Sequence, residues 1–218
     1  MRAVLAEEAS GLLARMGLRG RAWIRGVPIY ILLLGVFGVF LPLQKGRDFL
    51  DAVTLGAYAC LGVVFAAPAA SSAFETRPTI GRAVARVFVC VLYGELIAGV
   101  MLLLAVSTVY ISRGGRIVVG PDLRSLAECL ALGCALSLAV TTAAVWLSVT
   151  FSPRLARGVV RLIFLGLMAA FYFRSGWLPT VALRGAGIGL LAWLLFFTGL
   201  RGTLGTNRAS AQFGRKEA

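Results

Sequence analysis

Apolar residues gather into long runs in this chain, and short polar links separate them. A run of about 20 apolar residues is what an α-helix needs to cross a hydrocarbon core of about 30 Å, where the backbone must satisfy its own N–H and C=O groups. The pattern predicts six spans: Val27 to Leu43, Ala52 to Ala70, Pro78 to Ile111, Leu126 to Phe151, Val159 to Phe173 and Trp177 to Leu200. Pro42 and the stretch Gln44-Lys45-Gly46-Arg47-Asp48 close the first. Pro78 suits the first turn of the third, where its missing N–H has no helical partner anyway. Nothing from Pro78 to Ile111 breaks that helix, which at about 1.5 Å per residue reaches roughly 50 Å. Span three should therefore project several turns into one aqueous compartment, with Arg82 and Arg86, one turn apart, on a shared face. Gly114-Gly115 and Gly120-Pro121 mark a turn, Asp122 is placed to cap the helix that follows, and Pro153 ends span four. The last run is interrupted by Pro179, Arg184 and Gly185, so a re-entrant segment between Arg174 and Arg184, shielded by protein or water, is the alternative there.

Ahead of the first span, residues 2 to 18 place Leu5, Ala9, Leu12, Leu13 and Met16 near one helical face, with Glu8, Arg15 and Arg19 more exposed. That arrangement predicts an amphipathic helix lying on the membrane surface, with a frayed basic tail as the alternative. Glu7, Glu8 and several arginines precede any long apolar run, unlike a cleaved signal, so span one should be retained. The N-terminal segment, the links after spans two and four and the C-terminal tail hold most of the 22 Lys+Arg, which orients both termini to the cytoplasm. Trp23 at one boundary and Tyr110, Tyr172 and Trp177 at the other fit interfacial belts. The expected fold is an all-α polytopic membrane protein with six transmembrane helices. It divides into a cytoplasmic amphipathic segment over 1–26, a membrane domain over 27–200 and a basic tail over 201–218.

Composition agrees. The chain is 59% hydrophobic and 14% charged, with a mean hydropathy of +0.89. Its 218 residues leave no room for a separate globular domain once six spans are counted. The net charge of +13 is scattered between apolar runs and lacks the single basic face that nucleic acid requires. Cys60, Cys90, Cys129 and Cys134 all fall inside spans without CxxC spacing, so they read as small apolar residues and not as a disulfide or zinc set.

Chemistry is sparse. There is no histidine, and neither Lys45 nor Lys216 sits in a phosphate-binding loop. Asp48, Asp51 and Asp122 fall in links, so no pair of intramembrane aspartates is available for proteolysis. No cofactor, metal site or catalytic set is expected. The exception to this poverty is Glu95, in Tyr93-Gly94-Glu95 near the middle of span three, where an ionised carboxylate is costly and calls for a partner or a wet cavity. It reads equally as a polar group, with Tyr93, on a transport path or subunit seam and as a hydrogen-bonded structural acid. A membrane enzyme using Glu95 is a third reading. Glu128, near a helix end, is placed to pair with Arg124. Gly35 and Gly38 in span one, Gly94 and Gly99 in span three, and Gly185 and Gly189 in the last run are placed as packing grooves for close helix crossings.

Several stretches resemble the six-helix permease subunits of type-2, export-class ABC transporters. Gly35-Val-Phe-Gly-Val-Phe-Leu-Pro-Leu-Gln-Lys-Gly-Arg-Asp48 is similar to the end of the family's first span and its outer loop. Ser72-Ala-Phe-Glu75 is similar to the start of the cytoplasmic link, Val91-Leu-Tyr-Gly94 to the third span, and Leu147-Ser-Val-Thr-Phe-Ser-Pro-Arg-Leu-Ala-Arg157 to the exit from the fourth. The resemblance covers nearly the whole chain with soft motifs. It implies a multi-pass subunit of the bacterial plasma membrane, paired with a second copy or a homologous permease and driven by a separate ABC ATPase. The link after span two departs from the family, since its coupling helix is truncated to a remnant formed by Glu75, Thr76, Arg77, Thr79, Gly81 and Arg82. A non-transporting membrane subunit or scaffold of a larger complex is the alternative.

Overall fold

The computed structural model describes residues 2–15, 23–45, 52–71, 78–112, 121–151 and 153–173, together with Leu194 and Thr198. Helices make up all the regular structure among these residues. They are α1 (Arg2–Arg15), α2 (Trp23–Gly35), a π-helical turn (Val36–Phe40), α3 (Leu41–Lys45), α4 (Ala52–Ala70), α5 (Ile80–Ser112), α6 (Pro121–Thr150) and α7 (Pro153–Phe173). Three stretches among the described residues are long and apolar enough to cross a membrane: Val27–Gln44, Ile80–Ser112 and Arg124–Thr150. Thr54–Ala70 is apolar but shorter. The last apolar run, Trp177 to Leu200, lies outside the described residues apart from Leu194 and Thr198.

α4 occupies the middle of the bundle. Leu55, Tyr58, Ala59, Cys60, Val63, Ala66, Ala67 and Ala70 along it are all buried. Its many alanines and glycines let neighbouring backbones come close, which is how helices gain packing where lipid is as apolar as they are. Leu55 and Tyr58 cluster with Met101, Leu102 and Val109 near the end of α5, whereas Ala66, Ala69 and Ala70 cluster with Ala83, Val87 and Cys90 near its start. α4 and α5 are therefore antiparallel. α6 runs with α4, as Cys129 joins the first of these clusters and Val145 the second. Val160 on α7 packs with Val63, Ala67, Val140 and Ala144.

Pro42 does not end the first span. The helix passes through it by widening into a π turn, in which the Leu41 N–H reaches back to Val36 O. Proline has no N–H to give, so the carbonyls four and five residues before it, Gly38 and Phe37, need other donors. The Tyr58 hydroxyl on α4 donates to Phe37 O. The Thr108 hydroxyl on α5 lies 3.0 Å from Gly38 O and 2.9 Å from Leu104 O and shares its one hydrogen between them. The irregular turn is thus stitched to both neighbouring helices, and Gly38 packs directly against Leu104.

Two other boundaries differ from the sequence pattern. Pro78 stands before α5 and Thr79 is the cap: the Arg82 N–H, three residues on, donates to Thr79 Oγ1 at 3.3 Å. α6 starts at Pro121, which puts Asp122 inside its first turn instead of at the cap.

α1 also departs from expectation. Glu8, expected from the sequence pattern on the exposed face, is only 3% exposed, and Leu13, expected on the apolar face, is 44% exposed. α1 packs on the first turns of α5, where Leu12 joins Ala83, Val87 and Cys90. Its face is set by the arginines of α5, which no local periodicity in residues 2 to 18 reveals.

Candidate functional site

Three helices meet around Glu95. Its carboxyl leaves α5 and enters the seam between α4 and α6, where Ser137 Oγ donates to Oε1 at 2.5 Å. The other oxygen, Oε2, lies 3.6 Å from Cys134 Sγ. Cys134 and Ser137, one turn apart on α6, share a face, and so does Thr141 one turn further.

Glycine makes the room. A Cβ on Gly62 of α4 would fall 2.0 Å from Glu95 Oε1 and 2.7 Å from Ser137 Oγ. A Cβ on Gly133 of α6 would sit 3.4 Å from Oε2 and 3.1 Å from Ala59 O. Beside the acid, a Cβ on Gly94 would meet Gly62 O at 2.4 Å and the Ala66 methyl at 2.9 Å, so α4 and α5 cross in backbone contact. Larger side chains at these positions would push the three helices apart and the carboxyl out of the seam.

The site is inward at one end and open at the other. Ser137 is fully buried, Glu95 is half-buried and Cys134 is exposed. Thr141 is also fully buried, and its Oγ1 has no hydrogen-bond partner among the described residues. No ion pair among the described residues involves Glu95. The described residues also hold no group of three His, Cys, Asp or Glu arranged for a metal ion.

Tyr93 goes elsewhere. Its hydroxyl donates to the Tyr30 hydroxyl of α2 at 2.6 Å, and the Tyr30 ring stacks on Phe65 of α4 at 6.0 Å. It ties α2 to the bundle and does not join the carboxyl of Glu95. Of the glycines singled out for packing, Gly38 and Gly94 lie at close crossings, whereas Gly35 and Gly99 meet nothing within 4 Å of where a Cβ would stand. The close approaches at Gly62 and Gly133 had no signal in their own helices. Gly185 and Gly189 lie outside the described residues.

A second polar cluster sits at the start of α5. Arg86 Nε donates to Glu8 Oε2 at 3.1 Å, and Arg82 Nε donates to Glu8 Oε1 at 3.1 Å while its Nη2 reaches Glu7. The Arg86 side chain is 4% exposed and Glu8 3%, so this pair is withdrawn from water, in contrast to Glu7 at 62%. Of the residues assigned to ATPase docking, Thr79 caps α5, Gly81 is exposed with open space around it, and Arg82 faces α1. Glu75, Thr76 and Arg77 lie outside the described residues. Arg124 and Glu128 form the expected pair one turn apart, at 3.0 Å.

No family model, curated protein or solved structure matches this chain.

Proposed function

We propose that this chain is the membrane-spanning permease subunit of an ABC-type exporter in the bacterial plasma membrane. In this reading it has six spans with both termini cytoplasmic and forms the substrate path with a second copy or a homologous permease. A separate ATPase subunit supplies the energy, and the chain itself carries out no catalysis. One observation supports this reading most. α5 is a single helix of 33 residues that carries the α1 junction at its first turns and Glu95 in its middle. At about 1.5 Å per residue, Arg82 and Glu95 stand roughly 20 Å apart on one rod, so a displacement at the cytoplasmic end reaches the intramembrane acid without passing through a loop. Docking would involve Glu75, Thr76 and Arg77, with Thr79, Gly81 and Arg82 beside them.

The test is to co-express the full chain with a phosphate-loop ATPase encoded in an adjacent reading frame. The expected result is a membrane complex of the two whose ATP hydrolysis is several-fold that of the ATPase alone, and Arg77→Glu should abolish the stimulation while the chain still inserts. If no complex forms, or hydrolysis is unaffected by the chain, the reading is wrong. A non-transporting scaffold subunit is the second reading, favoured by the engagement of Arg82 with Glu7 and Glu8 inside the chain itself. It predicts a stable complex in which no substrate moves.

A further inference from the structure

The acid at the centre of the bundle also indicates what it binds. We propose that Glu95 is the anchor for the ammonium group of an amphiphilic organic cation that enters the seam from the bilayer. This rests on the transport-path reading but is tested without the ATPase.

Four features carry the argument. The carboxyl is held unequally at its two oxygens: Ser137 Oγ donates to Oε1 at 2.5 Å, while Oε2 accepts a longer, weaker hydrogen bond from the exposed Cys134 thiol at 3.6 Å. A ligand approaching past Cys134 therefore meets an oxygen with lone pairs to offer. Charge is the second feature. No ion pair among the described residues involves Glu95, and a carboxylate at membrane depth is strongly stabilised by a cation that arrives with its own charge.

The third feature is the surrounding surface. Leu92 and Leu96 beside Glu95 on α5 are 58% and 62% exposed, and Leu130, one turn from Cys134 on α6, is 42% exposed. A compact hydrated ion gains nothing from such walls, and the described residues hold no cluster of ligating side chains to replace its water. An alkyl chain does gain from them, at roughly 0.8 kcal/mol per buried methylene. The fourth feature is Thr141. Its fully buried hydroxyl, without a partner among the described residues, stands one turn beyond Ser137 on the same face of α6, so the seam keeps an unused polar atom on its buried side.

The experiment uses the full chain in phosphatidylcholine nanodiscs and the membrane-soluble reagent dicyclohexylcarbodiimide, which reacts with carboxyl groups reached from the lipid. Labelling is read by mass spectrometry of the intact chain and its peptides. Glu95 should be labelled, the label should vanish in Glu95→Gln, and dodecylammonium at about ten times its Kd should slow total modification of Glu95, counted as carbodiimide adduct plus any dodecyl amide formed by amine capture, by about tenfold. Dodecanol at the same concentration should leave the rate unchanged, because it brings the chain without the charge.

Equal protection by dodecylammonium and dodecanol, or by neither, overturns the cation site. Absence of label on Glu95 overturns its accessibility from the bilayer, as would be seen if a second copy of the chain covered this face. Protection alongside a failed ATPase experiment keeps the ligand and discards the energy source, so the two ideas fail separately.

Discussion

Glu8 at the α1–α5 junction and Glu95 in the middle of α5 are both acids held among helices, and they are met by different partners. Glu8 is gripped by the guanidinium groups of Arg82 and Arg86, each at 3.1 Å. Glu95 meets a hydroxyl, a thiol and the bare backbones of Gly62 and Gly133. Charge is neutralised on the spot at the first site. At the second the described residues supply space and neutral hydrogen bonds only. Burial of an acid thus has two physical solutions, and they suit different tasks: a permanent ion pair fastens two elements, while an acid with no cation beside it among the described residues retains the capacity to take one up.

The largest effect should come from breaking the fastened site. Glu8→Ala leaves Arg86 buried with its counter-charge removed, and truncating one partner of a buried pair costs about 3–5 kcal/mol. Unfolding of the purified chain in detergent, followed by circular dichroism, should show a loss of that size, and α1 should become accessible to protease. A loss under about 1 kcal/mol would mean that the junction contributes no more than a surface pair.

A smaller change tests the space at the other site. Gly62→Ala places a methyl 2.0 Å from Oε1 of Glu95, so the carboxyl must leave Ser137 or the helices must part, at a cost of roughly 1–3 kcal/mol. Since the carboxyl is the nearest obstacle, the same substitution in a Glu95→Ala background should cost about 1 kcal/mol or less. Equal costs in both backgrounds would show that the obstacle is Ser137 Oγ of α6, 2.7 Å from the same position, and not the acid.

The smallest expected change is the sharpest contrast. Glu95→Gln keeps the shape and the bond to Ser137 while removing the option of charge, and should shift stability by about 1 kcal/mol or less. Glu8→Gln, which deprives two arginines of their counter-ion, should cost distinctly more in the same unfolding measurement. If the two glutamine variants are equally damaging, Glu95 is ionised and paired in the resting protein, and the contrast collapses together with the cation site.

The helices were easier to read than their neighbours. The unbroken run from Pro78 to Ile111 announced α5 almost to the residue, because helix length follows from an uninterrupted apolar stretch. Pro42 misled, since the device that carries the helix past it, donors from Tyr58 and Thr108, comes from two other spans. Glu95 stood out because an acid is conspicuous in an apolar run. Ser137 and Cys134 did not, being ordinary small residues 42 and 39 positions away that acquire meaning only when α6 lies against α5. Periodicity in residues 2 to 18 likewise could not anticipate that Glu8 turns inward, because its partners lie 74 and 78 residues later.

What the sequence by itself determined is the kind of molecule: helical, apolar, and suited to a membrane. That follows from a local requirement, since a backbone in hydrocarbon must pair its own groups within each segment, and the residues that permit this are consecutive. Tertiary structure decided which acid is neutralised and which is left open. Electrostatic partnership acts through space across helices, and it depends on crossings set by glycine and alanine on elements far apart in the chain.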